Sequence, residues 1–470
     1  MGYQKLSIAG LLISAVSACG SNESAGTPSA GGTSTQSGGA VGTGGAVGSG
    51  GQAGQVATNA SGGSTVAPGS GGTSASGAVV GSCSRAVGTC TAPTVQVTDV
   101  ALGSAVTTYD QGDTSVFPIM IASMPSGGSR LAWLGTDKTV HVGQLGCDDK
   151  LVGAPFTIPG IDLQDIIVDD NGGVLLLTRD ATNGGTDNCG TGTLCGGTSS
   201  PCRTMWMVRF NSAGSVEWET QVTNLSDTLA GYQNGARFIW WYQHHGRLAF
   251  SGTNYAAIFG VAITVNNGSC VDIHEGDRLQ LVSSSGAKVT AGSLEVGMSH
   301  AWTSRVVWDS RTSKFAASDA TDNNCRIAIP TGAVTIAAGT CDGTLFNGDI
   351  VKSTALGYWN AWSQGSTIRL AHFTTGAADA SSIASAGSSQ HPHLVSLGAN
   401  NMLLAWKSGT STAAQIRSAT DGAAVGSELT IAIGDHDFGA WKAYDDGSAA
   451  YAYAAGNSTT AKVARVLPCN

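Results

Sequence analysis

The fold class the sequence predicts is all-β, and three observations predict it. Only 12% of the 470 residues are charged, while 67 are glycine. Long exposed helices want more charge and less glycine than that, whereas many tight turns want the glycine. Short apolar runs recur beyond residue 83 and alternate with period two. Clear cases are Gly173-Val-Leu-Leu-Leu-Thr178, Met205-Trp-Met-Val-Arg-Phe210, Thr367-Ile-Arg-Leu-Ala-His-Phe373, Met402-Leu-Leu-Ala-Trp406 and Ala449-Ala-Tyr-Ala-Tyr-Ala454. No stretch sustains an apolar helical face over three turns.

The chain opens on an apolar run, Leu6 to Ser17, preceded by one positive charge, Lys5, and closed by Val16-Ser17-Ala18-Cys19. The run is too short to span a bilayer and reads as a secretory signal. The four closing residues resemble the lipobox of bacterial lipoproteins. That resemblance implies cleavage after residue 18, a diacylglycerol on Cys19 and a chain tethered to a membrane. N-myristoylation at Gly2 does not fit, because Leu6 stands where that motif needs Ser or Thr. Gly20 is not the Asp that retains such lipoproteins at the inner membrane, so the family rule points to the outer membrane or cell surface of a Gram-negative envelope.

Residues 20–82 are almost wholly Gly, Ser, Thr, Ala and Val, with Glu23 the one charged residue. Such a segment lacks the apolar surface to offset the entropy of ordering, and as a coil it would reach roughly 45 Å. The expected organisation is a signal over 1–18, a lipidated N-terminus and linker over 19–82, and one folded domain over 83–470.

Within that domain the strands are grouped. A strand, a turn, a second strand, a gap and a third strand recur, with first turns at Ser126-Gly127-Gly128, Asp170-Asn171-Gly172, His245-Gly246, Ser310-Arg311-Thr312, Gln364-Gly365, Asn400-Asn401 and Asp446-Gly447. Seven units of three or four antiparallel strands with no crossover helix resemble a β-propeller of seven blades. A pair of large sandwiches or a parallel β-helix is the competing fold. The Gly-His and Trp-Asp pair of WD40 blades, the sialidase Asp box and the kelch double-glycine pattern are absent, so the resemblance is to an architecture and to no family of known activity.

Setting Cys19 aside leaves ten cysteines, an even number that suits full disulfide pairing in an exported chain. Cys189, Cys195 and Cys202 are spaced too widely for a structural zinc site and read as staples of a long insertion.

Propellers bind ligands at the mouth of the central channel, where the innermost strands begin. Counting back about nine residues from each first turn selects Phe117, Asp162, Asn234, His300, Ser353, His391 with His393, and His436 with Asp437. Imidazoles and carboxylates converging there could take a glycan, a peptide, a protein or a divalent cation, the one cofactor expected. No nucleophile elbow, His-Glu-x-x-His pair or phosphate loop is present. The expected function is a membrane-anchored binding module, with an extracellular hydrolase or lyase working through the axial His/Asp ring as the alternative. A net charge of −9 without basic clusters argues against nucleic acid as partner. The partners expected are a lipid bilayer through Cys19 and a glycan or protein ligand, with the chain itself a monomer.

Overall fold

Strands buried on both faces need continuous apolar runs rather than alternation, and the two innermost strands of the first sheet come close to that. Ile119–Ser123 and Ser129–Leu134 are buried almost throughout, whereas the outermost strand of the same sheet, Leu151–Pro159, is mostly exposed. The structure, a computed structural model, describes residues 83–470 other than 112–113, 117, 181–185, 188–199, 202, 224–245, 268–269, 297–303, 322–325, 330, 332–333, 339–344, 375–376, 379–382, 386–391 and 437. Cys19 and the linker therefore lie outside the described residues.

Seven antiparallel sheets form a ring. Blade 1 is Ile119–Ser123, Ser129–Leu134, Thr139–Leu145 and Leu151–Pro159. Blade 2 is Asp162–Asp169, Gly172–Asp180, Arg203–Asn211 and Val216–Gln221. Blade 3 is Arg247–Phe250, Asn254–Asn267, Cys270–Ser283 and Lys288–Val296, and blade 4 is Ser304–Asp309, Lys314–Thr321, Arg326–Ile329 and Val334–Ala338. Blade 5 is Leu345–Lys352, Tyr358–Gln364 and Thr367–Thr374, edged by Ala377–Ala378 and Ile383–Ser385. Blade 6 is His393–Leu397, Asn401–Ser408, Ser411–Ser418 and Ala424–Ile431. Blade 7 takes Lys442–Ala443, Ala449–Tyr453 and Thr460–Val466 from the end of the chain, and its outer strand, Val95–Ala101, from the beginning. Each inner strand contacts the next, and that of blade 7 contacts that of blade 1, so the ring is closed. The seven-bladed propeller expected from the sequence is the fold.

An apolar core fills every seam between blades. Val100, Ile119, Trp133 and Val463 fill the seam of blades 7 and 1, and Val174, Leu176, Met207 and Phe259 that of blades 2 and 3. Trp359 packs toward blade 6 and Trp362 toward blade 4, which is how two indoles on opposite faces of one strand are both buried. At roughly 25 cal/mol per Å² of apolar surface removed from water, these seams are the dominant favourable term.

Two of the seven expected first turns are one strand out of phase. In blade 3, His245-Gly246 precedes the inner strand, and the first hairpin turn is at Gly252-Thr253 instead. In blade 5, Gln364-Gly365 joins the second strand to the third, the first connection being the looser 353–357. Trp308-Asp309 ends the inner strand of blade 4 rather than closing a blade.

The first described residues and the C-terminal residues meet on the face that carries the first hairpin turns. Cys83 is bonded to Cys147 in the turn between the third and fourth strands of blade 1, and Cys90 to Cys469. Between them, Arg85 Nε donates to Asp446 Oδ2 at 3.0 Å, and the Gly88 amide donates to the Pro468 carbonyl at 2.9 Å. These are two of the five disulfides expected. Cys189, Cys195, Cys202, Cys325 and Cys341 lie outside the described residues, and of Cys270 only the backbone is described.

Candidate functional site at the channel axis

Six of the seven inner strands carry a charged side chain where a continuous apolar run would be expected. They are Asp165, Arg247, Arg305, Asp349, His393 and Lys442, from blades 2 to 7 in order. All but Lys442 are buried. Blade 1 alone contributes an uncharged strand, Ile119-Met-Ile-Ala-Ser123.

Asp435, His436, Phe438 and Gly439, between blades 6 and 7, join this ring. His393 Nε2 lies 2.9 Å from Asp435 Oδ1, and its Nδ1 lies 3.5 Å from Asp349 Oδ2. Asp349 Oδ1 is paired with Arg305 Nε, and its Oδ2 accepts from the Leu394 amide at 3.2 Å. The Tyr451 hydroxyl donates to Asp435 Oδ1 at 3.1 Å and accepts from the His436 amide at 3.2 Å.

Two sets of bonds cross the axis. Arg247 in blade 3 donates through Nη2 to the carbonyls of Phe438 at 2.9 Å and Gly439 at 2.5 Å, on the way into blade 7. Lys442 Nζ in blade 7 lies 2.5 Å from Asp165 Oδ1 in blade 2. In a ring of seven, neither pair of blades is adjacent, so these contacts bridge the channel and plug it. Glycines permit the approach. A Cβ on Gly348 would overlap the carbonyls of Pro392 and Ala361, and one on Gly439 would overlap the Tyr451 ring.

The plug sets its own charge states. Burial opposes a charge on His393, but Asp435 and Asp349 outweigh it and push the imidazole up to about 9. Burial would likewise raise Asp349, yet Arg305, with His393 and Arg247, holds it well below the usual carboxylate range. His436 goes the other way. Burial, aided by the charges of His393 and Arg247, takes it down to about 4 despite Asp435 next to it. Arg247 falls to about 10 through burial and the neighbouring Arg305.

Of the residues selected from the sequence, four are described: Asp162, Ser353, His393 and His436. Ser353 follows the inner strand of blade 5 on the face of the first hairpin turns, at the opposite end of the channel, where its hydroxyl donates to the Ala419 carbonyl at 3.1 Å. Asp162 opens the inner strand of blade 2, fully buried, where its Oδ1 accepts from the Leu163 amide at 2.7 Å and its Oδ2 from Gln164 Nε2 at 3.1 Å. His393 and His436 belong to the plug. Asn234, His300, His391 and Asp437 lie outside the described residues, as does Phe117. Counting back from the turns thus finds the correct end of the channel in blades 2, 6 and 7 and the wrong end in blade 5, where the turn counted from joins the second strand to the third; it misses Asp165, Arg247, Arg305, Asp349, Asp435 and Lys442. The signal missed, for those in strands, was a charged residue within the inner strands of blades 2 to 7. A second hollow, about 240 Å³, lies at the other end, lined by Arg85, Ser123, Met124, Tyr444 and Asp446.

No family model and no curated protein matches the chain. Among solved structures it is similar to the Neurospora crassa Pan2 WD40 domain, with 11% identity over 74% of this chain and 89% of that one, at a TM-score of 0.40. It is also similar to the WD40 β-propeller domain of Doa1, with 12% identity over 77% and 96% and a TM-score of 0.40. A chain of a Mitotic Checkpoint Complex structure matches with 11% identity over 82% and 97%, again at 0.40.

Proposed function

We propose that this chain is a lipid-anchored envelope protein, held to an outer membrane or cell surface through Cys19, whose monomeric propeller binds a glycan, peptide or protein partner. The observation that carries the reading is the placement of residues 83–94. Residues 83–94 are pinned by two disulfides to the face of the first hairpin turns. An anchor upstream of Cys83 would join the domain on that face and leave the opposite one unattached. On that opposite face begin or end the strands joined by the longest connections, 181–202 and 224–245. The axial charges are spent on one another, so a ligand contacting Asp162, His393 or His436 would first have to displace their bonds. Partner contacts are accordingly assigned to the rim around the plug.

Two measurements test this. A labelled fatty acid should enter the full chain and be absent from Cys19→Ser; label in the variant refutes the anchor. Glycan and peptide arrays probed with the signal-free chain should give a binder that is lost when residues 188–199 are replaced by a short Gly-Ser segment. Binding kept by that variant, but lost on changing Arg85 and Tyr444, would place the partner on the wrong face and overturn the assignment.

A further inference from the structure

The ring is closed by one strand, Val95–Ala101, paired with Thr460–Val466, and everything upstream of residue 95 hangs from it by covalent connection. A pull on that upstream chain, delivered along the backbone, would act first on this closing strand, which ties the two ends of the domain together. Two crosslinks intervene. Cys83 is bonded to Cys147 in blade 1, ahead of an arm formed by residues 84–94, and Cys90, within that arm, to Cys469 just beyond the last strand, still ahead of residue 95.

We propose that the two disulfides are anchors in series that carry tension from residues 1–82 around the closing strand. Tension arriving at residue 82 passes at Cys83 into the Cys147 turn, and so into a blade whose four strands are contiguous in sequence from 119 to 159. Residues 84–94 and the closing strand are then slack. Should the first anchor be lost, tension runs on through the arm, past the Arg85–Asp446 pair, to Cys90, and from there into Cys469. The closing strand is still bypassed. Without either anchor, its backbone hydrogen bonds to 460–466 take the whole load. A physiological source of tension rests on the anchored reading above; the load path does not, and it is read without a membrane. Failure of lipidation would leave the outcome below unchanged.

The test is single-molecule unfolding at constant force in two geometries. In the first, the full chain is held by its N-terminus and by a handle inserted in the exposed turn between Gly365 and Ser366. In the second, the N-terminal handle is moved to the exposed turn between Gly252 and Thr253, leaving the termini unloaded. Replacing all four cysteines by Ser should shorten the lifetime under load by about tenfold or more in the first geometry. The second geometry should change far less. Equal shortening in both would mean that the disulfides stabilise the domain without routing load, and no shortening in the first would mean that the closing strand was never at risk; either overturns the proposal. Cys83→Ser/Cys147→Ser keeps the second anchor and serves even if the fourfold variant does not fold. It should add one early extension, at most about 25 Å for the seven residues from 83 to 89 at roughly 3.5 Å each. Absence of that step would show that Cys83 was not the point of entry.

Discussion

The axis and the seams between blades are both buried, but they are built from opposite chemistry. The seams are apolar on both sides and tolerate local change, because burial is non-directional and many side chains share it. At the axis, three carboxylates, two guanidiniums, an ammonium and an imidazolium hold one another in a single arrangement. Buried ion pairs of this kind add little net stability over apolar packing, since desolvation offsets most of their attraction. Losing one partner is a different matter, because the other is left charged and dry. Bulk stability therefore belongs to the seams, whereas the axis sets how the blades stand to one another and how the domain answers pH.

The largest expected effect breaks the axis at its most connected member. Asp349→Ala leaves Arg305, His393 and the Leu394 amide without their shared carboxylate. The loss should be about 3–5 kcal/mol in chemical denaturation. Arg305→Met/Asp349→Leu should lose clearly less, because it removes the stranded charge as well. If the double variant is as unstable as the single one, the axis behaves like the seams and the contrast fails.

The pH response sharpens the comparison. Folded His393 keeps its proton to about pH 9, whereas the unfolded side chain releases it near 6.5. Its contribution is thus complete below 6.5 and is lost as pH rises to 9. Folded His436 refuses a proton down to about pH 4, while the unfolded side chain takes one below 6.5. Stability is therefore also lost as pH falls from 6.5 to 4. The two limbs place a maximum near pH 6.5, each falling by on the order of 2–3 kcal/mol. Denaturation midpoints from pH 4 to 9 should show the alkaline limb flattened by His393→Gln and the acid limb by His436→Phe. Limbs unchanged in these variants would remove the axis as their cause.

Gly348→Ala should cost about 1–3 kcal/mol, since a methyl group there meets two carbonyls rather than a flexible side chain. The change should also move the His393 titration, followed by NMR, because Asp349 is the next residue. A stability loss with no movement of that titration would make Gly348 a matter of packing alone.

The fold was legible because turns and apolar runs are local signals. Asp170-Asn171-Gly172 and Asp446-Gly447 announce hairpins wherever they stand, and five of the seven first turns fall where the sequence put them. Blade 3 slipped because its inner strand is only four residues, and blade 5 because Gln364-Gly365 is a tighter turn than the true first connection. The site was half legible. Asp162, His393 and His436 stand at the expected end of the channel, but partnership between Asp165 and Lys442, or between Arg247 and the Phe438 carbonyl, joins residues 277 and 191 apart in sequence. No local pattern carries that information; it exists only once the ring closes.

The smallest expected effect is at the edge of the plug, where the Lys442 side chain keeps some exposure. Lys442→Met removes a charge that reaches across blade 1 to Asp165. Asp165 is not left dry, since its Oδ1 also accepts from the Ile166 amide and its Oδ2 from the Leu248 amide, both at 2.9 Å. Burial already pulls Lys442 below its ordinary range, against the opposing pull of Asp165, so the ammonium carries a desolvation cost that Met does not. The net loss should be about 1 kcal/mol. A double-mutant cycle with Asp165→Asn separates the pair from its surroundings, and it should return a coupling well below the total cost of Asp165→Asn, which also weakens the two backbone bonds. A coupling as large as that total would mean that the bridge over blade 1, and not the backbone amides, holds Asp165 in place.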